Sequence, residues 1–176
     1  MADEGYFQSM GENNQQDKVQ KETKKILFVC TANVCRSPMA EHLFAQEIGK
    51  ANLSIQVETG SAGLSAMDGD KASQNSLEAC EEIGVDISSH KSSGITRADL
   101  QEASAIFCMT ESHRALINMY FDLPEGYPIF LMREFTEGGS KELPDPYGQD
   151  IEVYRECRDH MLEAIPSLIN WVEKNL

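Results

Sequence analysis

The run Ile26-Leu27-Phe28-Val29-Cys30 restricts the fold of this chain more than any other stretch. With Lys25 it reads as a short buried strand, and the residues after Cys30 decide its surroundings. Thr31-Ala32-Asn33-Val34-Cys35 carries no acidic side chain, and Arg36-Ser37-Pro38 then opens a helical pattern. Pro38 suits the first helical position, where a missing N–H costs nothing, and Ser37 before it is a natural N-cap. Met39 and Leu43, then Ala40, Phe44 and Ile48, recur at helical spacing, so a helix runs to about Gly49. The order is strand, loop, helix N-terminus, with a cysteine where strand becomes loop.

The same alternation continues. Strands are expected over Ser54–Glu58, Ser104–Met109 and Pro128–Met132, with Thr59 to Gly63 a loop. Helices are expected over Lys71–Ile83, stopped by Gly84, and over Glu111–Tyr120. A last stripe of Ile151, Tyr154, Cys157, Met161, Ile165, Leu168 and Val172 contains Pro166, where a kink is expected. Strands alternating with helices predict right-handed β-α-β units. The fold class is therefore α/β: a three-layer sandwich with a central four-stranded parallel sheet and helices on both faces. Ligands of such sheets bind at the carboxyl ends of strands, and Cys30 lies at one. Residues 1–24, rich in Gln, Asn, Glu and Lys, read as a disordered polar tail, leaving 25–176 as the domain.

The net charge of −14 argues against nucleic acid or an anionic membrane as partner. No apolar run approaches the roughly 18 residues that span a bilayer, and no signal-peptide layout opens the chain. Both predict a cytoplasmic protein. Five cysteines (30, 35, 80, 108 and 157) form no even framework and no zinc-type pairing, so reduced thiols and no metal are expected.

Chemistry concentrates after Cys30. A thiol attacks only when ionised, which positive charge and a helix N-terminus favour. Backbone N–H groups of the loop can curl into a nest for an oxyanion, and Asn33 tolerates the left-handed conformation a nest demands. Arg36 offers a planar fork to two oxygens of a phosphate-like anion, and Ser37 can donate to the sulfur. Spacing alone is weak evidence, because C-x5-R recurs from Cys108 to Arg114. That copy places Glu111 inside the loop and Ala115 after the arginine, so Cys108 reads as a core strand residue.

The segment Val29-Cys30-Thr31-Ala32-Asn33-Val34-Cys35-Arg36-Ser37-Pro38-Met39-Ala40-Glu41 resembles the phosphate loop of the low-molecular-weight protein tyrosine phosphatases. Gly84-Val85-Asp86-Ile87-Ser88-Ser89-His90 is similar to a second family segment, and Leu143-Pro144-Asp145-Pro146-Tyr147 to the loop carrying its general acid. The resemblance implies metal-free, cofactor-free hydrolysis of a phosphorylated protein by a monomeric enzyme. Cys30 would attack phosphorus, Arg36 would bind the phosphoryl group with the loop from Thr31 to Ser37, and Asp145 would protonate the leaving oxygen. Water would then cleave the cysteinyl-phosphate, with Asp145 as base. The resemblance further implies that Asn33, Ser61 and His90 brace the loop. Cys35 would form a reversible disulfide with Cys30, the alternative being a small packing residue.

Departures from the family pattern bear on substrate. Ala32 stands where glycine is usual, and Ser93-Gly94 replaces Arg-Gln. Met67 and Tyr147 form the expected substrate rim, with only Tyr147 aromatic. Val34 lies between the isoleucine of phosphotyrosine enzymes and the threonine of the bacterial arginine-phosphatase branch, which the stretch from Asp145 to Arg155 also resembles. Phosphotyrosine is the expected substrate and phosphoarginine the alternative. An arsenate reductase would need a resolving C-x6-C pair, absent after Cys80 and Cys108, and a phosphocysteine carrier would have no use for Asp145.

Overall fold

The computed structural model describes residues 22–176. The elements in order are β1 (Thr23–Cys30), α1 (Arg36–Lys50), β2 (Gln56–Gly63), α2 (Gln74–Glu81), α3 (Arg97–Glu102), β3 (Ala103–Cys108), α4 (Glu111–Tyr120), β4 (Ile129–Leu131) and α5 (Ile151–Asn175). All strand pairs are parallel, in the order β2-β1-β3-β4. Strand alternation sends Ile26, Phe28 and Cys30 into one core with α1, α2 and α5. Leu27 and Val29 enter a second core with Leu100 of α3 and Ile117 of α4. Burial on both faces is why β1 reads as an unbroken apolar run, and it makes the expected three-layer sandwich.

After β1 the chain turns to β2 on one side, and later to β3 on the other. The switch in strand order therefore falls at the carboxyl end of β1, where Cys30 sits.

Several local expectations change. β1 begins at Thr23, two residues before Lys25; residues 1–21 of the expected tail lie outside the described residues. Thr59 to Gly63 is strand, because β2 pairs with β1 through eight register positions up to Cys30↔Gly63. The short helix α3 was not expected; it starts at a capping box formed by Thr96 and Asp99. Ser37 is not the N-cap of α1. That place falls to Cys35, whose side chain makes no cap bond, and Arg36 and Ser37 are already helical. Pro38 still falls in the first turn, whose N–H groups have no helical partner. Pro166 lies within one continuous α5.

Candidate active site

The loop between β1 and α1 closes around the Cys30 sulfur. Asn33 holds φ at 56°, the only positive φ outside glycine among the described residues. This turn points its backbone N–H at Cys30 Sγ, 3.3 Å away. The Asn33 side-chain amide donates to Ser37 Oγ at 2.8 Å and to Ser61 Oγ at 2.9 Å, while its oxygen accepts from Ser93 N at 2.9 Å. Ser37 accepts from Asn33, and its own proton has two acceptors in reach, Cys30 Sγ at 3.0 Å and Ala62 O at 3.4 Å, of which the sulfur is the nearer. The hydroxyl expected to cap the helix serves the sulfur instead. His90 Nε2 binds Asn33 O at 2.8 Å, and the Ser61 hydroxyl donates to Glu41 Oε2 at 2.6 Å. Asn33, Ser61 and His90 are thus one connected network. Gly63 lets β2 approach: a Cβ there would lie 2.7 Å from Thr31 O and 2.9 Å from Asn33 N.

Arg36 is buried, yet Asp145 beside it is half exposed. Arg36 Nη1 donates to Leu143 O at 3.2 Å and Nη2 to Asp145 Oδ2 at 2.5 Å. Its Nε is buried without a hydrogen-bond partner. An unbonded guanidinium N–H is costly to bury, and an arriving anion would satisfy it. The first turn of α1 contains no acidic residue, so its N–H groups stay available for the same anion.

A cleft of about 390 Å³ opens over this loop. Residues Cys30, Thr31, Ala32, Val34, Cys35 and Arg36 line it, with Ser65, Met67 and Asp70 from the loop after β2 and Asp145 and Tyr147 from the loop before α5. Met67 and Tyr147 are 75% and 70% exposed, as a rim requires. Cys35 turns elsewhere: its Sγ lies 3.3 Å from Ser73 Oγ and 3.5 Å from Tyr154 Oη. Burial and the Cys35 contact push the Tyr154 phenol up to about 12. All five cysteines are free thiols. Burial raises Cys80, Cys108 and Cys157 to about 12, which leaves them packing residues. Among the described residues no cluster of three or more His, Cys, Asp or Glu is placed to hold a metal ion, and no helix is long and apolar enough to cross a membrane.

Residues 25–176 match the family described as low molecular weight phosphotyrosine protein phosphatase. The chain belongs to that family. A protein-arginine-phosphatase of Bacillus subtilis (strain 168) is 33% identical over 150 residues, covering 85% of this chain and 97% of the relative. The low molecular weight protein-tyrosine-phosphatase Ptp of Acinetobacter johnsonii is also 33% identical, covering 76% and 87%. A crystal structure of a YwlE mutant from Bacillus subtilis superposes with a TM-score of 0.77 at 31% identity, covering 85% of this chain and 98% of that one. This member is therefore a cysteine-based phosphatase with the α/β fold of its relatives.

Four contributors escaped the sequence reading. Glu41 lies one helical turn past Ser37 and so shares its face, a legible signal. Ser92 is buried and ties down the rim: its Oγ donates to Met67 O at 2.5 Å and accepts from Asp70 N at 2.9 Å. Asp70 itself reaches the cleft, and its carboxylate makes no hydrogen bond or ion pair among the described residues. His113 is buried at the edge of the loop. No local pattern announces the last three.

Proposed function

We propose that this phosphatase hydrolyses phosphotyrosine on proteins in two steps, with Cys30 as nucleophile and Asp145 as general acid and then base. The observation that carries the reading is the convergence on one sulfur of the Ser37 hydroxyl and the Asn33 N–H, beside an arginine already paired with the acid. Both donors stabilise negative charge on Cys30, as attacking thiolate and again as leaving group. The phosphoryl oxygens would take the loop N–H groups and the free Arg36 Nε. Binding sets a dianion against Asp145 for the same guanidinium. Asp145, taking up a proton from water as it leaves the guanidinium, then faces the leaving oxygen as a carboxylic acid, where a general acid is worth about 10²–10⁴-fold.

The site is assembled from one chain, which supports a monomer, and five free thiols suit the reducing cytoplasm. Cys35 is the resolving thiol of this reading; leaving Ser73 and Tyr154 is the movement it would need.

Phosphoarginine is the second reading. Two carboxylates, Asp70 and Asp145, reach the cleft, and among the described residues Tyr147 is its only aromatic lining. Beyond the phosphate, the two carboxylates of such a rim offer charge to a guanidinium. The relative from Bacillus subtilis is named for that activity.

The test is metal-free hydrolysis of an aryl phosphate by wild type, Cys30→Ser and Asp145→Ala, with orthovanadate as inhibitor. Activity lost in both variants and blocked by vanadate is expected. A Cys30→Ser enzyme that still turns over contradicts the mechanism. Turnover of phosphotyrosine and phosphoarginine peptides side by side decides the substrate, and clear preference for phosphoarginine overturns the first choice.

A further inference from the structure

The opening turn of the phosphate loop is held from two directions. On the β2 side the backbone does it: Leu64 N donates to Cys30 O at 3.0 Å and Ser65 N to Thr31 O at 2.8 Å. On the opposite side stands a side chain from α4. His113 Nε2 lies 3.0 Å from Thr31 Oγ1, across 82 residues of sequence. Its other nitrogen, Nδ1, lies 2.8 Å from Thr110 Oγ1. Thr110 is itself the N-cap of α4 and accepts from His113 N. The imidazole is thus clamped between a helix cap and the first residue after the nucleophile.

We propose that His113 is a positioning residue for catalysis, fixing Thr31 and through it the entry to the phosphate loop. The inference rests on the function proposed above for that loop. Thr31 is exposed, lines the cleft and directly follows Cys30. Released from His113, it keeps its backbone tie to Ser65 as its one hydrogen bond among the described residues. The opening turn of the loop then loses one of its two supports, and an error of about 1 Å in such geometry is worth on the order of 10²-fold in rate. His113 is 5% exposed and both its ring nitrogens are bonded, so its own position is well determined.

The brace is neutral. Burial, then the Arg36 guanidinium, push the imidazole down to about 4, and the carboxylates of Asp145 and Glu142 oppose this without prevailing. A neutral brace neither competes with Arg36 for the phosphate nor repels it. The same ring sits inside the second C-x5-R segment, which therefore supports the cradle although it cannot form one.

A double-mutant cycle on Thr31→Val and His113→Ala tests the proposal, read in kcat/KM and in the inhibition constant of inorganic phosphate. Each single variant should lose about tenfold in kcat/KM and bind phosphate correspondingly less tightly. The double variant should be no worse than the poorer single one, because both remove one bond. The pair His113→Gln and His113→Asn carries the test if His113→Ala does not fold. Gln places an amide nitrogen near the Nε2 position and should recover part of the loss; Asn reaches only towards Thr110 and should not. Additive effects, unchanged phosphate affinity, or better rescue by Asn than by Gln would overturn the proposal and reduce His113 to a packing residue of α4. A wild type without phosphatase activity overturns the function reading along with it, whereas an active wild type with an additive cycle overturns this inference alone.

Discussion

Cys30–Arg36 and Cys108–Arg114 have the same spacing, and both run from the carboxyl end of a parallel strand into a helix. Only one has the local chemistry of an anion site. After Cys30 the chain spends five residues on a loop whose Asn33 is left-handed, and α1 then starts with no side-chain cap and no acid in its first turn. After Cys108 the helix starts within three residues, Thr110 caps it, and Glu111 fills its first turn. The two sulfurs differ accordingly. Both are buried, but Cys30 is met by a hydroxyl and an N–H, while Cys108 is pushed up to about 12 by desolvation. The arginines differ as well. Arg36 keeps a buried N–H free, whereas Arg114 is paired with both Glu111 and Glu134. An anion site at a helix N-terminus requires that the helix leave its own donors unpaired. A well-capped N-terminus is more stable and chemically closed.

Breaking the first segment should matter far more than breaking the second. Arg36→Ala should lower kcat/KM for an aryl phosphate by about 10²–10³-fold, the loss of a preorganised charged donor. Arg114→Ala should change it by less than about threefold, as an already neutralised ion pair near the surface. Steady-state kinetics on purified variants check both. Comparable losses would mean that spacing, not loop chemistry, makes the cradle.

The left-handed residue comes next. Asn33→Ala retains the strained backbone and loses three side-chain hydrogen bonds, and should cost about 2–4 kcal/mol of stability. Asn33→Gly loses the same three bonds but is relaxed at positive φ, so it should recover about 1 kcal/mol relative to Asn33→Ala in denaturant unfolding without recovering turnover. Full activity in either variant would break the claim that the amide network orients Ser37.

A smaller effect sharpens the role of the second segment. His113 is held near 4 in the fold against 6.5 ordinarily, so the unfolded chain binds more protons between those values. Stability from this group is complete above about pH 6.5 and is lost as pH falls towards 4, by roughly 3 kcal/mol at most. His113→Gln should flatten that part of the stability profile. An unchanged acid slope would place the titration elsewhere.

The features legible in the sequence rest on local chemistry. The apolar run ending on Cys30, the left-handed tolerance of Asn33 and the boundaries of α4 are all readable from neighbouring residues. The features that escape it depend on partners distant in sequence. Ser37 has the chemistry of an N-cap, but the strand delivers a sulfur to its hydroxyl. Thr59-Gly60-Ser61-Ala62-Gly63 has a loop's composition and becomes strand because the central β1 offers it a ladder. Gly63 at its end lets the loop after Cys30 sit close. Asp70, Ser92 and His113 reach the site only through the order of the sheet and the loops between its strands.

Trapping the covalent intermediate tests the central claim most directly. Wild type and Cys108→Ser, mixed with an aryl phosphate and quenched within a turnover, should each carry one phosphoryl group, mapped by peptide mass spectrometry to Cys30. A phosphoryl group on any other residue, or turnover with none on Cys30, would contradict it.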